Sequence, residues 1–468
     1  MESYDYIVVG AGSAGCVVAR RLSDQSAVRV LLLEAGPPAD DFWIRTPAGM
    51  AKLFLSERYN WRYSTEPVPE LRNRKIYWPR GKTLGGSSAI NGMVYTRGNR
   101  RDYDHWAALG NDGWAWDDVL PFFKRAEDNE RGASHYRGTG GPLTISDPAV
   151  MPQSVDAFIE ASRQCGIPYI EDLSSAGEEG VGMLQATIRN GVRQSAYDAF
   201  IAPVRHRENL TVRTGVHVRC VLFQGRNASG VEVLDRGEVR EIRALREVVI
   251  CAGALGSPHL LMLSGIGDGA RLQQHGITTH VHAPGVGQNL QDHFSVHIKA
   301  QTKPGSSYNF DLLGWRQYWQ GLRYVATKNG YLALGSSLAA AFVKSTPEIE
   351  YADLEISFRP MTFTHSDSGS VRVDPYHAIS ASVYRVRPAS RGEIVLRSAD
   401  PLHPPSFHPN YLQADEDRRA MLAGLRHARA ILATEPLAWR VVREMSPGTQ
   451  AHTDEHLMAF MEQQGKCA

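Results

Sequence analysis

The sequence predicts an α/β fold: a nucleotide-binding unit, then a second, β-rich unit. Three observations point there. A short apolar strand runs into a glycine turn, a helix and a second strand at residues 4–36. A strand, glycine turn and helix recur at residues 248–267, VVICAGALGSPHLLMLSGIG. Strand-like stretches such as EIEYADLEISF and YHAISASVYRV then dominate residues 299–412. The 468 residues, 43% hydrophobic and 22% charged, suffice for two or three domain-sized units with ample core.

The first strand is Tyr4–Val9, YDYIVV. GAGSAG follows at Gly10–Gly15, then CVVARRLSD, with helical spacing at Val17, Val18 and Leu22. A second strand is VRVLLLEAG, residues 28–36. A G-x-G-x-x-G run carries a mechanism only in that setting. Gly10 permits the tight turn, Gly12 lets the backbone approach a pyrophosphate, and Gly15 lets the helix pack closely on the strand. The helix amino terminus, with Ser13 and Ala14 in its first turn, offers N–H groups and partial positive charge to phosphates. Glu34, nineteen residues past Gly15 and followed by Ala35, is placed to accept from a ribose hydroxyl. An acid there disfavours a 2′-phosphate and leaves FAD or NAD open. These features describe a Rossmann-like dinucleotide domain.

Charge and composition exclude other classes. Lys+Arg number 51 against 50 Asp+Glu, a net charge of +1, so nothing attracts nucleic acid. The five cysteines are scattered without a CxxC pair, which fits a reducing compartment and neither a disulfide framework nor a zinc site. HPPSFHP at 403–409 lacks further ligands, so no metal is expected. There is no G-x-S-x-G elbow. The opening MESYDYIVVG has no basic leader, and no run of eighteen apolar residues occurs. The expectation is a cytoplasmic protein without a membrane span, with peripheral contact at the inner membrane left open. His293 reads as part of a structural turn, and the charged run RGNRRDYDHW, 97–106, as a solvated helix start. Phe358 and Met361 suit a substrate cavity or plain core.

Residues 81–94, GKTLGGSSAINGMV, bring small residues together with one charge. Gly85 and Gly86 let backbone approach something flat or phosphorylated. The stretch continues to Trp116, and here the chain resembles the glucose–methanol–choline (GMC) oxidoreductases, most closely their bacterial choline-dehydrogenase-like branch. Gly81, Leu84, Gly85, Gly86, Ser87, Ser88, Ile90, Asn91, Tyr95, Gly98 and Asp104 fall in register with that family. Residues 248–267 and GVGQNLQDH, 285–293, resemble its later signatures, and Arg391–Leu412 its carboxy-terminal half.

The resemblance implies FAD. It places Thr83, Gly86, Asn91, Gly92, Met93 and Val94 against the isoalloxazine and Val218 beside the adenine. Some members tether FAD through a histidine in this loop; Ile90 stands there, which implies non-covalent FAD. A small alcohol as substrate and a quinone or O₂ as electron acceptor are implied too.

The chain closes with HLMAFMEQQGKCA. In the family this segment leads into His-Pro-x-Gly-Thr, whose histidine is the catalytic base, and a later His or Asn partner. No such stretch occurs in these 468 residues, so no catalytic residue is assigned and the pair is expected beyond Ala468. A shortened reading frame is the expected cause, ahead of a cloning boundary or a natural remnant. The expected organisation is a region 1–298, mainly FAD-binding, with 156–190 partly an excursion toward the substrate unit, and a truncated substrate-binding and carboxy-terminal region 299–468. Residues 413–464 look helical and are expected to return to the FAD domain. The expected function is FAD-dependent oxidation of CH–OH groups of choline-like or other primary alcohols. The alternative is a flavin-binding protein without catalysis, or an inactive fragment.

Overall fold

The computed structural model describes residues 2–175, 179–365 and 371–468. The chain begins with β1 (Glu2–Val9), α1 (Ser13–Leu22) and β2 (Val30–Glu34). After a long, mostly irregular stretch come α2 (Gln153–Gln164) and β3 (Gly180–Met183). Then follow β4 (Leu210–Thr214), β5 (Val216–Gln224), β6 (Asn227–Asp235), β7 (Glu238–Ile250) and α3 (Gly253–Leu263). The rest carries β8 (Phe294–Thr302), β9 (Ala339–Val343), β10 (Leu354–Arg359) and β11 (Ala378–Arg385). Helix α4 (Asp415–Leu432), β12 (Val441–Ser446), α5 (Asp454–Gln464) and β13 (Lys466–Cys467) complete it.

Two sheets organise these elements. The first has the order β4-β2-β1-β7-β6-β5. Strands β4, β2, β1 and β7 are parallel, and β6 and β5 extend β7 as antiparallel partners. Strand β2, VLLLE, is buried along its whole length because both faces are covered. Leu32 faces α1 with Val8, Cys16 and Ala19. Leu31 and Leu33 face the other side with Ile7, Val9 and Leu260 of α3. The order reverses direction at β1, and crevices at such switch points hold ligands in open α/β sheets.

Helix α1 corrects one sequence expectation. Its buried residues are Gly15, Cys16 and Ala19, while Val17 is 36% exposed. A Cβ on Gly15 would stand 1.9 Å from the Gly10 oxygen, so the helix approaches the turn too closely for larger residues on that face.

The second sheet has the order β12-β8-β11-β10-β9-β3, with β13 also pairing β8, all antiparallel. One face is continuous core. Val296, Ile298, Leu354, Ile356, Phe358 and Val383 are fully buried on it. Helices α2 and α4 pack there; Phe158 stacks on Phe358 at 4.6 Å between ring centroids, and Gly424 of α4 lies against Val383. Phe358 is therefore core, and the cavity reading for it is withdrawn.

The sheets part before residue 298. Strand β8 carries Phe294–Thr302 entirely within the second sheet, because Phe294, Val296 and Ile298 alternate toward its core. Residues 153–183 join this sheet through α2 and β3. Helix α4 lies on the second sheet and does not return to the first, since Met421, Leu425 and Ala428 bury their face in its core. Helix α5 leans on residues 69–74 instead: Arg74 donates to the Glu462 and Gly465 oxygens at 2.9 and 3.0 Å. The expected strand EIEYADLEISF begins only at Leu354. Asp353 turns the chain there, accepting from the Ser345 amide at 2.8 Å and its hydroxyl at 2.9 Å.

Among the described residues no helix is long and apolar enough to cross a membrane, and no group of three or more ligating side chains suits a metal.

Candidate functional site

The carboxyl ends of β1, β2 and β7 converge on one crevice. The β1–α1 turn carries Gly10, Gly12, Ser13, Ala14 and Gly15, with Ser13 and Ala14 exposed. No side chain caps α1, so its leading N–H groups await an acceptor. Helix α3 starts beside it, equally without a side-chain cap, at the end of neighbouring β7. Two uncapped amino termini side by side make a site for a bridging anion such as a pyrophosphate.

Glu34 closes β2. Its carboxylate accepts from the Ala11 amide at 3.0 Å and the Gly36 amide at 2.9 Å. Burial pushes its carboxyl up to about 7, against the pull of those two donors and of Lys82. A carboxylate offers about four lone-pair sites, so capacity remains for a hydroxyl. Ala35 lies partly buried beside it.

The glycine–serine loop packs straight onto this turn. Gly85 donates its amide to the Ala11 oxygen at 2.8 Å. A Cβ on Gly86, whose φ is +54°, would stand 2.7 Å from the Gly12 Cα. Thr83 is fully buried and donates its hydroxyl to the Pro37 oxygen at 2.8 Å. The loop thus extends the surface of the β1–α1 turn with backbone that is nearly free of side chains.

Asn91, Gly92, Met93 and Val94 continue the loop toward the second sheet. Gly92 accepts from the Ser336 amide at 3.0 Å, Met93 from the Thr187 amide at 2.9 Å, and Val94 pairs with Ala186. Met93 adopts a left-handed φ of +63°. Asn91 holds that turn, its side-chain oxygen accepting from the Met93 amide at 3.0 Å. Val218 sits apart from the loop, on β5, packed with the Leu33 side of the first sheet.

Sequence reasoning missed Arg193. It is 3% exposed and donates to the Ile44 oxygen at 2.9 Å, the Ser88 oxygen at 3.2 Å and the Asn91 oxygen at 2.9 Å. Its second terminal nitrogen, Nη2, is buried without a partner. Burial lowers its guanidinium to about 9. No motif flags a lone arginine 102 residues from its partner Asn91.

Sequence reasoning also missed the inner face of the second sheet. Glu355, Ser357 and Arg359 of β10 lie opposite Tyr384, Ser382 and Ser380 of β11, and those opposite Ser295, His297 and Lys299 of β8. This polar face is opposite the packed one. The signal was present: in EISFR, polar and apolar residues alternate with period two. His293 is bonded to the Val386 oxygen at 3.0 Å and lies against the Tyr384 ring.

The residues suit a flavin dinucleotide. Two uncapped helix starts side by side, and a glycine loop whose backbone packs on the first of them at Gly12, offer main-chain donors and a nearly side-chain-free surface to such a group. Ile90, 2% exposed in an apolar cluster, gives the loop no covalent attachment point.

Comparison with known proteins agrees. A family model described as GMC oxidoreductase matches residues 4–295, and its carboxy-terminal counterpart matches residues 388–468. The chain is 38% identical over 463 residues to an alcohol dehydrogenase [acceptor] of Pseudomonas putida, covering 97% of this chain and 83% of that protein. It is 37% identical to the mitochondrial choline dehydrogenase of Mus musculus, covering 98% and 78%. Among solved structures, pyridoxine 4-oxidase from Mesorbium loti superposes with a TM-score of 0.87 at 31% identity, covering 99% of this chain and 87% of that one. A formate oxidase superposes with a TM-score of 0.91 at 27% identity, covering 100% and 87%. The chain belongs to the GMC oxidoreductase family.

Proposed function

We propose that this chain binds FAD non-covalently and serves the oxidation of a CH–OH group in a small, choline-like or other primary alcohol. A quinone or O₂ would take the electrons. The carrying observation is the uncapped start of α1, with the glycine loop packed on it where Gly86 meets Gly12. Ser13, Ala14 and Gly15 would present their amides to the pyrophosphate. Glu34 would accept from the ribose, and Val218 would cover the adenine. Thr83 and Gly86 would back the ring system, with Asn91–Val94 as its floor, held in place by Arg193. When bound, FAD supplies the oxidant for the CH–OH group. The polar face of the second sheet, linked to that floor through Ser336 and Ser337, would orient the alcohol.

Residues 1–468 contain no His-Pro-x-Gly-Thr stretch, so none of them is assigned as proton acceptor. A general base contributes about 10²–10⁴ in rate. The FAD-loaded chain, mixed anaerobically with primary alcohols, is expected to reduce its flavin slowly, and imidazole in solution should accelerate it. If no alcohol reduces the bound flavin with or without imidazole, the enzyme reading fails. The non-catalytic flavin-binding alternative would then stand.

A further inference from the structure

Arg359, on the polar face of β10, lacks the carboxylate partner that two other enclosed arginines have. Arg97 is paired with Glu127, both side chains 1% exposed, and Arg385 with Asp417 at 2.7 Å. Arg359 donates only from Nε, to the Ser337 hydroxyl at 3.1 Å. Among the described residues no carboxylate lies within ion-pair distance of it. Its Nη1 and Nη2 carry four N–H donors in a planar fork. The residue is half-buried, and burial lowers its guanidinium from the usual range. Leaving such donors unmet inside a protein is costly.

Its position is informative. Ser337 follows Ser336, whose amide bonds to Gly92 of the flavin-facing turn. Arg359 therefore stands one serine pair away from Asn91–Val94. The surrounding charges do not cancel it. Lys299 is already paired with Asp374 at 3.3 Å. Glu355, four residues earlier on the same face, is bonded to the Ser357 hydroxyl at 2.5 Å. Burial raises its carboxyl toward the neutral form. Lys466 lies near as a further cationic group, pushed down to about 7 by burial and by Arg359.

We propose that Arg359 is the anion-recognition residue of the substrate cleft, and that this chain prefers alcohols bearing a carboxylate over cationic ones. The fork geometry matches a carboxylate in two parallel hydrogen bonds. A quaternary ammonium wants an ionised carboxylate and an aromatic cage; here a guanidinium stands instead. The inference rests on the function proposed above and names its substrate class.

The test uses the FAD-loaded chain and calorimetric titration with three probes: 5-hydroxypentanoate, 1-pentanol and choline. The hydroxy acid should bind at least tenfold more tightly than pentanol, and choline more weakly than either. Arg359→Met, which keeps length and loses charge, should erase the tenfold preference by weakening hydroxy-acid binding far more than pentanol binding. Choline binding as tightly as the hydroxy acid would overturn the proposal, and so would a preference that survives the substitution. The wild-type comparison alone decides if the variant does not fold. Flavin uptake is measured separately, and the titration is repeated on the flavin-free chain. No uptake sinks the flavin reading. Uptake without anion preference sinks only the role of Arg359.

Discussion

Gly12 and Gly86 bring two backbones into direct contact, so close that a Cβ on Gly86 would lie 2.7 Å from the Gly12 Cα. The relation is not symmetric. A Cβ on Gly12 would meet nothing nearer than 3.9 Å, and Gly12 has an ordinary φ of −80°. Gly86 has a φ of +54°, where a side chain adds about 1–2 kcal/mol of strain.

The two alanine variants should therefore part company. Gly12→Ala should leave the flavin-free chain about as stable as before and weaken FAD binding at least tenfold, since its new methyl enters the crevice. Gly86→Ala should lose both, with about 2 kcal/mol or more of stability gone. Denaturant unfolding without FAD and a binding titration with it separate the two effects.

Glu34 makes the flavin-free chain sensitive to pH. Its folded value, about 7, is raised above the reference 4.5. The native state therefore holds the proton more tightly than the unfolded chain, and stability falls as pH rises between about 4.5 and 7. The shift corresponds to about 3 kcal/mol over that window. Glu34→Gln should flatten this fall, with about 1 kcal/mol lost at pH 5 because one amide donor loses its acceptor. Unfolding free energies at pH 5 and pH 8 check both.

Arg193 should matter more to the loop than to the sheets. Arg193→Met leaves the Ile44 and Ser88 oxygens and the Asn91 side chain without their donor. The expected loss is about 2–4 kcal/mol in stability, with FAD affinity down by an order of magnitude or more. Faster amide exchange confined to residues 88–94 would identify the loop as the seat of the effect.

Much of the first sheet was legible because its signals are local. Gly10, Gly12, Gly15 and Glu34 lie within 25 residues, and the strand, turn, helix and strand that they punctuate are those of the structure. The loop at 81–94 was legible as a backbone surface, since Gly85 and Gly86 have few other uses together. Arg193 was not, because its partners come from three distant segments and only folding brings them together. The polar face at Glu355, Ser357 and Arg359 was readable in its alternation, yet attention went to Phe358, whose size suggested a cavity wall. The α4 segment was read correctly as a helix. Its destination depended on which core its Met421–Leu425–Ala428 face would meet, and a helical pattern carries no such address.

Asp417 anchors that helix. Burial alone would raise its carboxyl. The Ser390 hydroxyl, the Ala389 and Ser390 amides and Arg385 together hold it below the usual range. A depressed folded value means stability present above about pH 4 and lost as pH falls through it. Asp417→Ala should cost about 1–3 kcal/mol at pH 7, because the Ala389 and Ser390 amides lose their acceptor while Arg385 keeps Glu416 at 3.5 Å and Asp353 at 3.8 Å, and the penalty should shrink in acid. Thermal unfolding at pH 7 and pH 3 measures both.

The most direct measurement is a titration of the purified, cooperatively folded chain with FAD, followed by absorbance and by separation of bound from free flavin. The flavin assignment predicts saturable uptake near one FAD per chain, released as intact FAD on acid precipitation. A folded chain that stays colourless in excess FAD, with no saturable uptake, would contradict it.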